Sequence, residues 1–279
     1  MQSRRHFLGF SGVSLFGLSF GIPSLSLQAA EKSQSGKIKF NLGLASYTTR
    51  NFDQATTIQF AHRAGLKFLC FKDMHLKLDA SDEECAEAAE VVKKAGIQLY
   101  GAGVISMNNA AQVENAFRYA KAAGMDTIIG VPDETVLDLV DKKVKETGIY
   151  LAIHNHGPGD EKYPTPESVY EKVKHLDPKI GLCIDVGHTV RIGADPIESI
   201  RRYKDRIFDF HIKDETKAAP EGVTCICGRG VIDLPGVIAA LMEVEYDRVV
   251  SFEYEAEAND PLPGLMESVG YIRGLTRMM

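Results

Sequence analysis

IYLAIHNHG (residues 149–157), GLCIDVGHT (181–189) and RIFDFHIKD (206–214) fall within one stretch of the chain. Each is a short apolar run that ends in residues able to hold a metal or move a proton. The first ends in His154 and His156, the second in Asp185 and His188, the third in His211 and Lys213. A fourth run, RVVSFEYE (248–255), brings Glu253 near the end of the chain. Apolar runs this short, bounded by glycine and charge, read as strands buried on both faces. Folds made of parallel strands place their chemistry at the C-terminal strand ends, where these polar residues fall.

The same rhythm extends outward from this stretch. Strands are expected over residues 38–44, 67–71, 97–101, 127–131, 150–154, 180–185, 207–211 and 249–253. Helices are expected between and after them, over 52–64, 81–95, 111–123, 134–147, 165–175, 196–203, 234–244 and 265–278. Ser81 reads as an N-cap with Glu84 completing a capping box. Gly65, Gly96, Gly124 and Gly148 each end a helix directly before the next strand. Eight strand–helix pairs in about 240 residues predict a single (β/α)₈ barrel, an α/β fold. An open doubly wound sheet is the competitor, and it would be expected to carry a glycine-rich phosphate loop after its first strand. Ala45-Ser46-Tyr47-Thr48 stands there instead.

Composition sets outer limits. With 279 residues, 44% of them hydrophobic, the chain can bury one large core. A net charge of −6 provides no basic field for nucleic acid or an anionic membrane. Five Cys, an odd number without paired spacing, suggest no disulfide framework. At the N-terminus, Ser3-Arg4-Arg5-His6-Phe7-Leu8 is a twin-arginine pattern followed by a glycine- and serine-rich apolar run to Ile22. The run is too short to anchor the chain in a membrane. Residues 1–30 are therefore expected to be a twin-arginine signal peptide, 31–37 a linker, and 38–279 the barrel, with the protein delivered to the periplasm.

In a closed barrel the strand ends form one ring. His154, Asp185, His211 and Glu253 would then face one space from the fifth to eighth strands. Two imidazoles and two carboxylates suit one divalent ion such as Mn, Co, Zn, Ni or Mg, with positions left for a substrate.

These residues also carry a family resemblance. GLCIDVGH (181–188), FHIKD (210–214), GRGVID (228–233) and SFEYE (251–255) resemble the xylose isomerase-like barrels. That family includes sugar-phosphate isomerases, ketose epimerases, inosose dehydratases and AP endonucleases. The resemblance implies metal ligation by Asp185, His211 and Glu253. The family's fifth-strand ligand is usually Glu in a pattern resembling E-N-H, whereas this chain has His154-Asn155-His156. Ketose epimerases of the family use two metal-bound glutamates, one on each face of the substrate. With only Glu253 left of that pair, a single base suffices for elimination, where the proton need not return. His156 is the first candidate base, His188 the second and Glu255 the third. His156 also reads as a group that orients Asp185 or the substrate.

Lys72, Lys213 and His75 are candidate substrate-binding groups. Residues 106–110 and 158–164 are long enough to cover a pocket. Gly228 and Gly230 read as a tight turn rather than a phosphate loop. The expected partner is a small sugar or keto-sugar, with no nucleic acid, and homo-oligomerisation is left open. Two classes of function follow. The first is a metal-dependent enzyme that removes a proton beside a carbonyl, either as an isomerase or epimerase or as a lyase or dehydratase acting on 3-keto-glycosides or related keto-sugars. The second is a sugar-binding barrel without turnover. An AP endonuclease role is disfavoured by the acidic charge and by too few ligands for a three-zinc cluster.

Overall fold

The computed structural model describes residues 38–279. The expected signal peptide and linker, 1–30 and 31–37, lie outside the described residues. Eight parallel strands close into a barrel: β1 (Asn41–Ala45), β2 (Phe68–Phe71), β3 (Gln98–Met107), β4 (Thr127–Pro132), β5 (Tyr150–His154), β6 (Ile180–Asp185), β7 (Ile207–Ile212) and β10 (Val249–Phe252). β10 pairs with β1, Val250 standing opposite Leu42, and this closes the ring. Helices α1 (Gln54–Arg63), α2 (Asp82–Lys94), α3 (Ala110–Ala122), α4 (Leu137–Thr147), α5 (Pro166–Val173), α7 (Pro196–Tyr203), α8 (Leu234–Glu243) and α9 (Leu262–Met278) alternate with the strands.

Local chemistry sets these boundaries. Ser81 accepts from the Glu84 N–H and Glu84 returns a bond to the Ser81 N–H, the capping box that starts α2. Gly65, Gly96, Gly124 and Gly148 take φ between 66° and 74°, the left-handed turn that lets the chain leave a helix and enter a strand within two or three residues.

Most buried apolar side chains form the layer between strands and helices. A separate cluster that includes Cys70, Tyr100, Ile129, Ala152, Cys183 and Val249 fills the barrel interior. Below it, Arg248 stacks 3.7 Å from the Tyr150 ring centroid.

Two features differ from expectation. A short helix, α6 (Val186–Arg191), follows β6 at once, because the Asp185 carboxylate caps it by accepting the His188 N–H at 2.8 Å. The stretch after β7 carries a small antiparallel pair, β8 (Asp214–Glu215) and β9 (Thr224–Cys225). Among the described residues no helix is long and apolar enough to cross a membrane.

Candidate metal centre and active site

Alternation along the strands decides which side chains meet. His154 ends β5 and Asp185 ends β6, while His211 lies one residue before the end of β7 and Glu253 follows β10 directly. All four are buried at the C-terminal mouth of the barrel, and one ligand atom from each lies within 4.8 Å of the others. His154 Nε2 is 3.2 Å from His211 Nδ1 and 3.5 Å from Asp185 Oδ2. His211 Nδ1 is 3.1 Å from Glu253 Oε2 and 3.8 Å from Asp185 Oδ2. Nitrogen and oxygen ligands at about 2.0–2.2 Å from a tetrahedral Zn²⁺ stand roughly 3.3–3.6 Å apart, close to these spacings. Asp185 Oδ2 is buried without a partner in hydrogen-bond geometry, although the Lys213 ammonium lies 2.9 Å away. The donor set therefore fits a divalent cation.

Charge gives a second test of fit. Lys213 is buried between Asp185 Oδ2 at 2.9 Å and Glu253 Oε2 at 2.8 Å, and it also pairs with Glu255. Three carboxylates thus meet one ammonium here, an excess of negative charge that a cation would answer. Burial holds His154 down to about 3, outweighing its bond to Asp185, so the ring is neutral. Burial works against charge on Asp185, but Lys213 first and His188 next hold it below the usual carboxylate range. For Glu253 burial is likewise outweighed, by His211 and then Lys213, and the carboxyl is held well below its usual range. Burial also opposes charge on Lys213, and Asp185, Glu253 and Glu255 hold its proton well above the usual range. On His211, burial is outweighed by Cys183 and Glu253, which hold the ring well above the imidazole range. Because burial keeps the Cys183 thiol protonated, Glu253 is the effective partner.

Above the cluster opens a cleft of about 270 Å³ lined by Tyr47, Lys72, Val104, His154, His156, His188, Glu253 and Glu255. The His156 ring is 4.5 Å from that of His154 and 5.8 Å from that of His188. Burial first and His188 second hold His156 below the usual imidazole range, favouring the neutral base. Asp160 Oδ2 stands 3.3 Å from His156 Nδ1, off the line of a hydrogen bond. Gly157 at φ 73° allows this turn to pass under His188, whose carbonyl would lie 2.7 Å from any added Cβ.

The structure thus brings His154, Asp185, His211, Glu253, His156, His188, Glu255 and Lys72 together. It does not bring His75 or Lys213 to the cleft wall. His75 is buried against the turn that follows β1, with Nδ1 2.9 Å from Ser46 Oγ and Nε2 3.3 Å from the Thr49 carbonyl. The turn that donates the His75 N–H to the Lys72 carbonyl rotates the two side chains apart. Lys213, the residue after β7, turns inward like His211, and the carboxylates beside it satisfy its charge. The expected covering loop at 106–110 is absent, because β3 runs on to Met107 and Asn109 caps α3. The 158–164 loop is pinned by Asp160 Oδ1, which accepts from Lys162 and Tyr163 N–H at 2.7 and 2.8 Å. Gly228 and Gly230 both donate N–H to Asp214 Oδ2 at 2.9 Å, consistent with a turn. Tyr47, two residues after the end of β1, also lines the cleft, and its place just past a strand end is the sequence signal for it.

The described residues thus form a closed parallel barrel with a His/Asp/His/Glu cluster at its mouth and histidines in the cleft above it. Residues 58–275 match the xylose isomerase-like TIM barrel family, and the chain belongs to it. An inosose dehydratase of Geobacillus kaustophilus is 29% identical over 129 residues, covering 40% of this chain and 41% of that protein. The chain spans about half the length of the curated relatives it matches. Among solved structures, the IolI protein with a zinc atom superimposes with a TM-score of 0.71 at 20% identity, covering 85% of this chain and 98% of that one. An L-ribulose 3-epimerase superimposes with a TM-score of 0.70 at 15% identity, covering 85% and 95%. At those identities the structures establish the fold.

Proposed function

We propose that the protein is a divalent-cation-dependent enzyme that removes a proton beside the carbonyl of a sugar or keto-sugar and proceeds to elimination. The observation that carries this reading is the asymmetry of the bases. His156 and His188 line the cleft together, whereas Glu253, the counterpart of an epimerase glutamate, is engaged by His211 at 3.1 Å and Lys213 at 2.8 Å. When bound by His154, Asp185, His211 and Glu253, a divalent cation supplies the positive charge that makes a C–H beside a carbonyl acidic. His156 takes that proton. His188 gives a proton to the departing oxygen, and Lys72 and Tyr47 hold substrate hydroxyls. The name dehydratase on the curated relatives supports elimination. We further propose that residues 1–30 direct export to the periplasm, where 3-keto-glycosides are a fitting substrate class because phosphorylated sugars are scarce there.

The test is turnover of 3-keto-glycosides and free ketoses in deuterated water by the cation-reconstituted protein. The expected result is an eliminated product, with little deuterium in recovered substrate. An epimer with deuterium at the α carbon would support the second reading, reversible isomerisation with Glu255 as the opposing base. His156→Ala should keep the cation and lose turnover by about 10² to 10⁴, the usual worth of a positioned base. Unchanged turnover in that variant would remove His156 from the mechanism. Arg4→Lys with Arg5→Lys should leave the protein in the cytoplasm, as cell fractionation would show, and export at the native rate would overturn the signal assignment.

A further inference from the structure

A second polar layer lies beneath the four candidate ligands, and the proposed chemistry does not use it. Asp209 stands two residues before His211 on β7, so both side chains point into the barrel. It is fully buried and pairs in register with Cys183. Its Oδ1 accepts the Tyr100 hydroxyl at 2.9 Å, and that hydroxyl also lies 2.6 Å from Ser251 Oγ. Its Oδ2 accepts from Cys183 Sγ at 3.4 Å and stands 3.3 Å from His211 Nε2. The last contact is bent away from the ring N–H line, and among the described residues Nε2 has no other partner.

A carboxylate buried this deeply is costly unless a donor or a charge answers it. Tyr100 and Cys183 donate to it, and the His211 ring nitrogen at 3.3 Å is the further donor within reach among the described residues. The other His211 nitrogen, Nδ1, faces Glu253 Oε2 at 3.1 Å and His154 Nε2 at 3.2 Å. A ring nitrogen that carries hydrogen has no lone pair for a cation. An acceptor at Nε2 keeps the hydrogen there and leaves Nδ1 bare.

We infer that Asp209, oriented by Tyr100, is a positioning residue that fixes the hydrogen of His211 on Nε2 and so presents Nδ1 to the bound cation. The inference rests on the metal reading above. It follows the general pattern in which a ligating imidazole passes its other N–H to a carboxylate. Asp209→Asn reverses the polarity of this device. With the Tyr100 hydroxyl still donating to the amide oxygen, the amide NH₂ is left facing Nε2, which favours hydrogen on Nδ1, where it blocks the cation.

The experiment is a zinc titration of the full chain against a chromogenic chelator, with urea unfolding of each variant in EDTA and ¹⁵N-histidine spectra of the zinc-loaded protein. The native spectrum should show His211 protonated at Nε2 and bound through Nδ1. Asp209→Asn should weaken zinc affinity by about 10- to 100-fold, the usual cost of losing such an outer partner. Tyr100→Phe keeps the carboxylate and should weaken it by less. A merely structural role would lower the unfolding midpoint in EDTA and leave zinc affinity and the nitrogen spectrum unchanged, and that result overturns the inference. If Asp209→Asn does not fold, the native spectrum and Tyr100→Phe decide it. A native protein that binds zinc with His211 protonated on Nδ1 overturns the inference alone. A native protein that binds no divalent cation overturns the metal reading and this inference with it.

Discussion

Lys213 places an ammonium between Asp185 and Glu253, 2.9 and 2.8 Å away, inside the barrel mouth. Removing one partner of a buried ion pair leaves the others uncompensated. Lys213→Met should therefore lose about 3–5 kcal/mol of stability in EDTA. Added zinc or manganese should restore part of that loss, because the cation answers the same carboxylates. An unchanged urea midpoint would show that Lys213 is not their counter-ion. Glu215 poses the opposite problem: burial pushes its carboxyl up to about 7, against the weaker pull of Lys213 and Thr224. Its folded pKa exceeds its unfolded value, so the stability it contributes is present below about pH 4.5 and is lost as pH rises toward 7. Glu215→Gln should flatten that part of the stability profile and stabilise the protein above pH 7, read by urea unfolding across the range. At this scale the ligand set was legible because each residue ends an apolar run. Asp209 was legible in principle, two positions before His211 in FDFHIKD. The burial of Lys213 and His75 was not, because a sequence does not show which neighbours satisfy a charge or a ring nitrogen.

The elements that follow β6 and β7 were the least visible in the sequence. α6 is too short to show a helical period, and its start depends on Asp185, which caps it through Oδ1 and offers Oδ2 to the cluster. The stretch after β7 is shaped by Asp214. Its buried carboxylate accepts four backbone N–H groups, from Glu215 at 2.9 Å, Ile232 at 3.1 Å, and Gly228 and Gly230 at 2.9 Å each. Four N–H bonds to one carboxylate at one end of a long loop could not be read from spacing alone, although GRGVID marked a turn. Asp214→Ala leaves these donors unsatisfied and should cost at least about 3 kcal/mol, given 1–3 kcal/mol per stranded buried group. Hydrogen exchange should speed up first at Gly228, Gly230 and Ile232. Equal protection in the variant would mean that β8–β9 pairing alone holds the loop. The regular helices were easier to place, because capping chemistry such as Ser81 with Glu84 acts within four residues.

The eight-fold alternation was legible because apolar runs repeat at every unit and helix-ending glycines at four of them, so an error in one unit does not change the count. Closure of the barrel also fixes the site, since it brings the ends of β5, β6, β7 and β10 to one mouth. A cation held there joins strands that span half the ring, and global unfolding must release it. Binding to the folded state alone stabilises by RT ln(1 + [L]/Kd), about 2.7 kcal/mol at a cation concentration 100 times Kd. For a domain of this size each kcal/mol moves Tm by about 2–4 °C, so zinc at that concentration should raise Tm by roughly 5–10 °C over EDTA. Asp185→Ala and His211→Ala should abolish the shift and the turnover together, because each removes one of four ligands. Zinc that binds tightly in the titration yet leaves Tm where EDTA puts it would mean that binding does not depend on the assembled barrel, and the cation would then have to be placed elsewhere on the chain.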